Sequence, residues 1–319
     1  VPGADDSPAA QPSGLDEGLD VTALEQIAGR GWQGTTTEAL GDWLLRAGHG
    51  FTGRANSVLP LGSPGCEPAE ALRAIREFYR AVGLPAVIQM PEDRPGSALA
   101  GLDLQLQAGG WRPYHSTAVM TAAVVDVAAA CPRSDLLPPS RFDPVPSDAW
   151  LSGYLYRGNP LPPTAVAVLT NAASPVFLTV PGDDPSGQHP PGQHPPGQHP
   201  PGQHPSGQHP PGQHPSGQHP SGQHPPGQHP SCTPRGVARG VVTEGWLGVT
   251  AVTVDAGHRR TGIGRHVMGE LARWAADQAE PAHSVYLQVD EANPVALAMY
   301  RRLGFARHHG YHYLADPGA

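Results

Sequence analysis

The chain of 319 residues contains no lysine, since all 20 of its basic residues are arginine. A Gly-Lys-Ser/Thr phosphate loop is therefore excluded. Only three cysteines occur, Cys66, Cys131 and Cys232, an odd number at wide spacing. They form neither a zinc pattern nor a disulfide framework, and the expected location is the reducing cytoplasm. No apolar run is long enough to span a bilayer. No charged segment followed by an apolar one opens the chain as a secretory signal would. Positive charge is in deficit, with a formal net charge of -8 at pH 7. That argues against a nucleic-acid-binding face. Hydrophobic residues make up 38% of the chain, below the globular average, because two stretches nearly lack them. One is residues 1–20, expected to be a disordered tail.

The other stretch is a repeat. Gly-Gln-His-Pro recurs nine times between residues 187 and 230, separated by single Pro or Ser residues. Regular prolines and the absence of apolar side chains exclude a packed core there. Residues 183–234 are expected to be a disordered excursion between two strands ending at Val180 and starting at Gly236. An insertion at a hairpin tip costs loop entropy that grows only slowly with length. Nine imidazoles can bind nickel or zinc weakly, but a tract without a fold cannot fix ligand geometry. No metal site is expected.

The remaining sequence is mixed α and β. Residues 21–28, 68–82 and 98–108 have helical patterning, the second with Ala71, Leu72, Ile75, Phe78 and Tyr79 at three-and-four spacing. Residues 42–46, 55–61, 86–90 and 111–125 are expected strands. Prolines and few apolar pairs mark 128–147 as a linker. Beyond it, 148–156 is expected to be a helix, and 164–171 and 175–180 strands. After the repeat come strands 236–242 and 246–254, helix 264–279, strand 284–289, helix 294–303 and strand 308–314. This divides the chain into domains at 21–127 and 148–319.

The chemistry concentrates in Arg259-Arg260-Thr261-Gly262-Ile263-Gly264, between an expected strand and an expected helix. Glycine admits backbone angles that other residues resist and lets a ligand approach the main chain. A helix start has unpaired N–H groups and partial positive charge, and binds phosphate oxygens. Arg259, Arg260 and Arg265 add cationic donors. The loop suits a pyrophosphate. A dinucleotide fingerprint is a rival reading, but Val267 stands where its third glycine is wanted, and only 29 residues remain after Asp290.

The segment downstream of the loop decides between them. Val252-Thr253-Val254, then Arg259-x-x-Gly262-x-Gly264, then Asn293-x-x-Ala296-x-x-x-Tyr300-x-x-Leu303-Gly304-Phe305 resembles the GNAT superfamily of N-acetyltransferases. The stretch 246–313 also resembles an actinobacterial subgroup with an extra N-terminal domain. The resemblance implies an α+β fold with a mixed central sheet flanked by helices. It implies acetyl-CoA as acyl donor, with no metal, and a small-molecule amine or peptide as acceptor. Val252, Thr253 and Val254 would hold the pantetheine arm with main-chain groups, and Asn293 would contact it. Arg259 to Gly264, with Ile263 among them, and Arg265 would cradle the pyrophosphate. Tyr300 would protonate the leaving thiolate, a task its hydroxyl suits at neutral pH. For the general base, Glu244 is the first candidate and Glu291 the second. A protein without lysine cannot acetylate its own lysine side chains.

The first domain echoes the second. Residues 78–90 parallel 274–289, and 102–111 parallel 299–305, which suggests a duplicated unit. Any helix–strand–helix–strand order also produces such echoes. The counterpart loop, Ser63-Pro64-Gly65-Cys66-Glu67-Pro68, lacks Arg-x-x-Gly-x-Gly. The expectation is two tandem GNAT-like domains, the N-terminal one degenerate. A non-catalytic CoA-binding module and a His-repeat metal-binding protein are the alternatives.

Overall fold

The computed structural model describes residues 19–156, 158–182 and 233–318. Most of the expected tail and nearly all of the repeat excursion lie outside them. Helix α1 (Val21–Gly31) begins where Asp20 accepts a hydrogen bond from the Ala23 amide, and it buries Leu24, Ile27 and Ala28. Strands β1 (Thr36–Leu40) and β2 (Trp43–Ala47) form an antiparallel hairpin, and β3 (Leu59–Pro60) pairs with β2. Helix α2 (Pro68–Ala81) opens on proline, whose missing N–H costs nothing in a first turn. Strand β4 (Val87–Pro91), helix α3 (Ala98–Ala108) and strand β5 (Arg112–Ala123) complete the first half.

The second half starts with α4 (Val124–Ala130), β6 (Arg141–Asp143), α5 (Asp148–Gly153) and α6 (Ala165–Leu169). Strands β7 (Val176–Val180), β8 (Gly236–Thr243) and β9 (Trp246–Val254) run antiparallel in sequence. The Val180↔Gly236 pair confirms that the repeat joins hairpin neighbours. Helix α7 (Ile263–Ala276), strand β10 (Ser284–Asp290), helix α8 (Pro294–Arg302) and strand β11 (Ala306–Ala315) end the chain.

The strands assemble as β4-β11-β5-β10-β9-β8-β7-β6, beside the smaller sheet β1-β2-β3. A parallel bridge between Val58 and Ile88 carries the smaller sheet on to β4. Each half therefore has the same plan. An antiparallel trio leads through a helix to a strand parallel to its last member (β3–α2–β4 and β9–α7–β10), and a helix and a final strand come next. The final strands are exchanged. β5 of the first half pairs with β10 of the second, β11 of the second pairs with β4 of the first, and β5 meets β11 between them. The two halves thus share one sheet, and the internal echo in the sequence falls on α2–β4 and α7–β10.

One sheet face packs on α4, α7 and α8, with Met120, Leu247, Leu271, Leu287 and Phe305 all buried. Truncating a leucine in such a core costs about 2–5 kcal/mol. The other face packs on α1, through Val119, Tyr286, Tyr311 and Tyr313. No described helix is long and apolar enough to cross a membrane.

Three expectations fail locally. Residues 164–171 are helical, because Ala165, Val168 and Leu169 share one buried helical face and the Ala-Val alternation only imitates a strand. Strand β1 has no alternating pattern to reveal it, since four of its five residues are exposed. The stretch 128–147 contains the end of α4 and the edge strand β6, which pairs with β7. It is pinned by the Arg265 and Arg273 side chains, which donate to the carbonyls of Ala130 and Cys131.

Candidate functional site

Strands β9 and β10 pair in parallel only from Trp246↔Ser284 to Val249↔Leu287. Beyond that point they separate. On its other side β9 loses register with β8 between Val237 and Arg239, where Ala251 takes a φ of 56°. This bulge turns the end of β9 away from β10, as bulges do. Val252, Thr253 and Val254 are half-buried with no β10 partner; Thr253 and Val254 remain paired to β8, and Val252 lies in the bulge. Their β10-side main-chain groups form an open edge that an extended arm can pair with.

The end of β9 runs into the loop. The Asp255 carboxylate accepts from the Gly257 amide and lies 3.0 Å from His258 Nδ1. The His258 hydrogen bond holds its pKa below the ordinary carboxylate value. Thr261 Oγ1 donates to the His258 carbonyl. Gly262 sits at the N-cap of α7 with φ 93°, and no side chain caps the helix. Open space surrounds the point where a Gly262 Cβ would stand. The first-turn amides therefore have no side-chain cap among the described residues, and uncapped helix starts of this kind suit anions. Arg259 and Arg260 are exposed beside them. Ile263 is a core residue and offers only its main chain. Arg265 differs from expectation, because its Nε is engaged with the Ala130 carbonyl. A Cβ on Gly264 would touch Met299 Sδ at 3.1 Å, so α8 packs against the start of α7.

Tyr300 follows Met299 in α8 and is buried in the core between α7 and the sheet. Its ring meets Phe305 edge-on at 5.7 Å, and burial pushes the phenol up to about 12. Tyr300 thus keeps its proton across the working pH range. Asn293 caps α8 by accepting from the Ala296 amide.

Glu244 is not brought to the site. It occupies the β8–β9 turn with φ 49° and pairs with Arg30 at 2.8 Å. All of β9 lies between it and the loop, roughly 27 Å at about 3.3 Å per residue. A turn carboxylate near the loop in sequence stands at the wrong end of the strand. Glu291, the second candidate, pairs with Arg307.

The α1 face supplies residues that the sequence did not reveal. Along β10, Val285, Leu287 and Val289 face the α7 core, so Tyr286, Gln288 and Asp290 alternate to the opposite face. Gln288 accepts from Arg54, 234 residues away. His115 Nδ1, on β5, lies 3.6 Å from Asp290 Oδ2, an ion-pair distance when the ring is protonated. Contacts this remote in sequence carry no local signal. Among the described residues, no group of three or more His, Cys, Asp or Glu is arranged to hold a metal ion.

Comparison with known proteins places this geometry. A sequence model of the family described as "Probable histone acetyltransferase Rv0428c C-terminal" matches residues 19–177 and 220–314. The uncharacterized N-acetyltransferase YobR of Bacillus subtilis is 23% identical over 294 residues, 92% of this chain and 98% of that protein. An uncharacterized protein of Mycobacterium leprae, ML0378, is 39% identical over 59 residues, 18% of this chain and 15% of its own length. Among solved structures, a GCN5-related N-acetyltransferase from Kribbella flavida superposes with a TM-score of 0.52 at 17% identity, covering 93% of this chain and 94% of that one. A tandem GNAT protein from the clavulanic acid biosynthesis pathway also gives 0.52, at 11% identity, covering 82% and 74%.

Proposed function

We propose, from the premise that this chain belongs to the Rv0428c C-terminal acetyltransferase family and is a GNAT-type acetyltransferase, that it transfers an acetyl group from acetyl-CoA to a primary amine of a small molecule or peptide. The amine attacks directly, with both substrates bound together. The observation that carries this reading is the uncapped start of α7, reached from a strand that has left its parallel neighbour.

These residues fit the cofactor. The free edge of Val252, Thr253 and Val254 would hold the pantetheine arm, and the Asn293 side-chain amide would reach it. The amides after Gly262, with Arg259, Arg260 and Thr261, would hold the pyrophosphate, and Arg265 would brace the loop against α4. When bound, acetyl-CoA supplies an activated thioester carbonyl.

Tyr300 donates a hydrogen bond to the departing sulfur. Its pKa of about 12 lies above a thiol's usual value of about 8.5. Stabilising the thiolate by hydrogen bonding is therefore favoured over complete proton transfer. For the base, His115 replaces Glu244 in this reading. Neutral His115 accepts the proton from the amine, directly or through water, and Asp290 stabilises the resulting cation. His115 and Asp290 pair across β5 and β10, while Tyr300 belongs to the α7 side. Acid and base thus belong to opposite faces of the sheet. The first half, residues 21–127, acts as scaffold and contributes His115, Arg54 and Trp32 to the acceptor side.

The test is calorimetry with acetyl-CoA, followed by a screen of amines and peptides read by CoA release with a thiol reagent. Binding with turnover of at least one amine supports the reading. Binding without turnover of any amine points instead to a non-catalytic CoA-binding module, and absence of binding removes the site.

A further inference from the structure

Two guanidinium groups on the α1 face have no carboxylate within ion-pair distance among the described residues. Arg239, on β8, is 0% exposed. It donates from Nε to the Leu169 carbonyl and from Nη1 to the Gly31 carbonyl, while Nη2 has no hydrogen-bond partner among the described residues. Arg54 lies in a short 3-10 turn of the first half and donates from Nη1 to Gln288. Both guanidinium groups lie over the Trp32 indole, with Arg54 Cζ 4.8 Å and Arg239 Cζ 5.0 Å from its ring centre. Several other arginines are neutralised. Arg133 and Arg273 share Glu270, Arg76 holds Asp316, and Arg307 holds Glu92 and Glu291. Arg46, the buried arginine of β2, is linked through Gln89 to Glu25. Arg239 and Arg54 have no such relay. Burial lowers Arg239 to about 10, which still leaves it charged at neutral pH.

The position of this pair matters more than its charge alone. The β9–β10 ladder ends at Val249↔Leu287. Arg239 reaches the hydroxyl of Thr250, the next residue of β9, and Arg54 reaches Gln288, the next residue of β10. Each arginine touches the first unpaired residue of one diverging strand. The faces agree as well. A Cβ on Gly248 would strike the Tyr286 hydroxyl, so Gly248 and Thr250 share the side of Tyr286 and Gln288. The cations therefore stand at the vertex of the gap, on the acceptor side. Burying charge without a counterion is costly, and an anion delivered by a ligand removes that cost.

We propose that the acceptor is an amine that also carries a carboxylate, held at this vertex by Arg54 with Arg239 behind it. Arg54 commits one nitrogen to Gln288, which leaves Nε and Nη2 for a two-pronged carboxylate contact. The cations have a second effect. They disfavour an ammonium beside them, so the bound amine loses its proton more readily. For the same reason a lysine-rich tail is a poor acceptor at this site. This inference rests on the acetyltransferase reading.

The test uses the full chain, saturating acetyl-CoA and paired acceptors that differ by one carboxylate: phenylalanine with phenethylamine, tyrosine with tyramine. A lysine-rich peptide is the third arm. In the wild type, kcat/KM is expected to be at least about tenfold higher for the carboxylate member, the scale of one charge-assisted hydrogen bond. Arg54→Gln should narrow that ratio to within about threefold, and Arg54→Lys should retain part of it. Preference for the decarboxylated amines or the peptide, or an unchanged ratio in Arg54→Gln, overturns the proposal. If no pair is turned over, tryptophan fluorescence titrations of the same chain with the same pairs decide. Tighter binding of the carboxylate members, abolished in Arg54→Gln, upholds the anion site. Equal or absent binding overturns it. Calorimetry with acetyl-CoA alone reports separately on the acetyltransferase reading.

Discussion

The two halves of the chain present the same strand–loop–helix turn twice, and only one of the two leaves its amides open. After β9, Gly262 starts α7 in the left-handed region with open space around it and two exposed arginines nearby. After β3, the counterpart loop is closed on itself. The Asp42 carboxylate takes the Ser63 amide, and Ser63 Oγ takes the Gly65 amide. Glu67 occupies the N-cap of α2 and Pro68, without an N–H, its first position. Glu70 adds further negative charge to the first turn. A cavity of about 350 Å³ persists there, walled by Trp43, Pro60, Pro64, Cys66, Leu99 and Leu102. A similar backbone plan thus yields an open helix start or an apolar hollow. Which one forms depends on whether the loop has glycine and arginine or proline and acid.

The largest effect expected is at Gly262. A valine there must adopt a φ that costs a non-glycine residue roughly 1–2 kcal/mol, and its side chain would occupy the phosphate approach. Gly262→Val should weaken acetyl-CoA binding by more than tenfold while the chain stays folded, since the position is exposed with nothing packed on it. Wild-type affinity in calorimetry would erase the distinction between the loops.

Tyr300 sharpens the comparison, because the first half has no open loop of the kind that precedes α7. Tyr300→Phe should cut kcat on the order of 10²-fold, the lower range for an acid–base group, and change acetyl-CoA affinity little. The pH profile gives a second readout. The folded-state phenol, raised to about 12, remains protonated where an ordinary tyrosine near 10 would ionise. No alkaline loss of kcat from Tyr300 should therefore occur below about 12. The sign for stability agrees. Burial of the neutral phenol favours folding below the ordinary tyrosine value, and that contribution fades as pH rises from there through the folded-state value. An alkaline limb in kcat near pH 10 that vanishes in Tyr300→Phe would contradict this account.

The smallest effect belongs to Glu244. Its pair with Arg30 is surface-exposed, and such pairs contribute about 0–1 kcal/mol. Glu244→Gln should leave kcat within about twofold and the melting temperature nearly unchanged. A hundredfold drop in kcat would place a base at the far end of β9.

The strand–loop–helix turn at Gly262 was legible in the sequence because it is local. Its glycines, arginines and flanking strand and helix lie within about one turn of each other, and local chemistry sets their conformation. Most elements were legible for the same reason, as periodicity reports burial. The acceptor side was not. Arg54, Trp32, Arg239 and Gln288 meet, and His115 meets Asp290, across the two halves of the chain, and contacts so remote in sequence have no local pattern. Glu244 illustrates the reverse error, since it is close to the loop in sequence but a whole strand away in space. The helix at 165–169 was misread because a five-residue apolar run fits either period.

The central claim is that one of two related clefts binds the cofactor. Isothermal titration of the full chain with acetyl-CoA measures it most directly. The account predicts a stoichiometry of about one per chain, with all of the binding heat lost in Gly262→Val, because a phosphate site needs the open helix-start amides that only the second half provides. Two equivalents per chain, or a site that survives Gly262→Val, would contradict it.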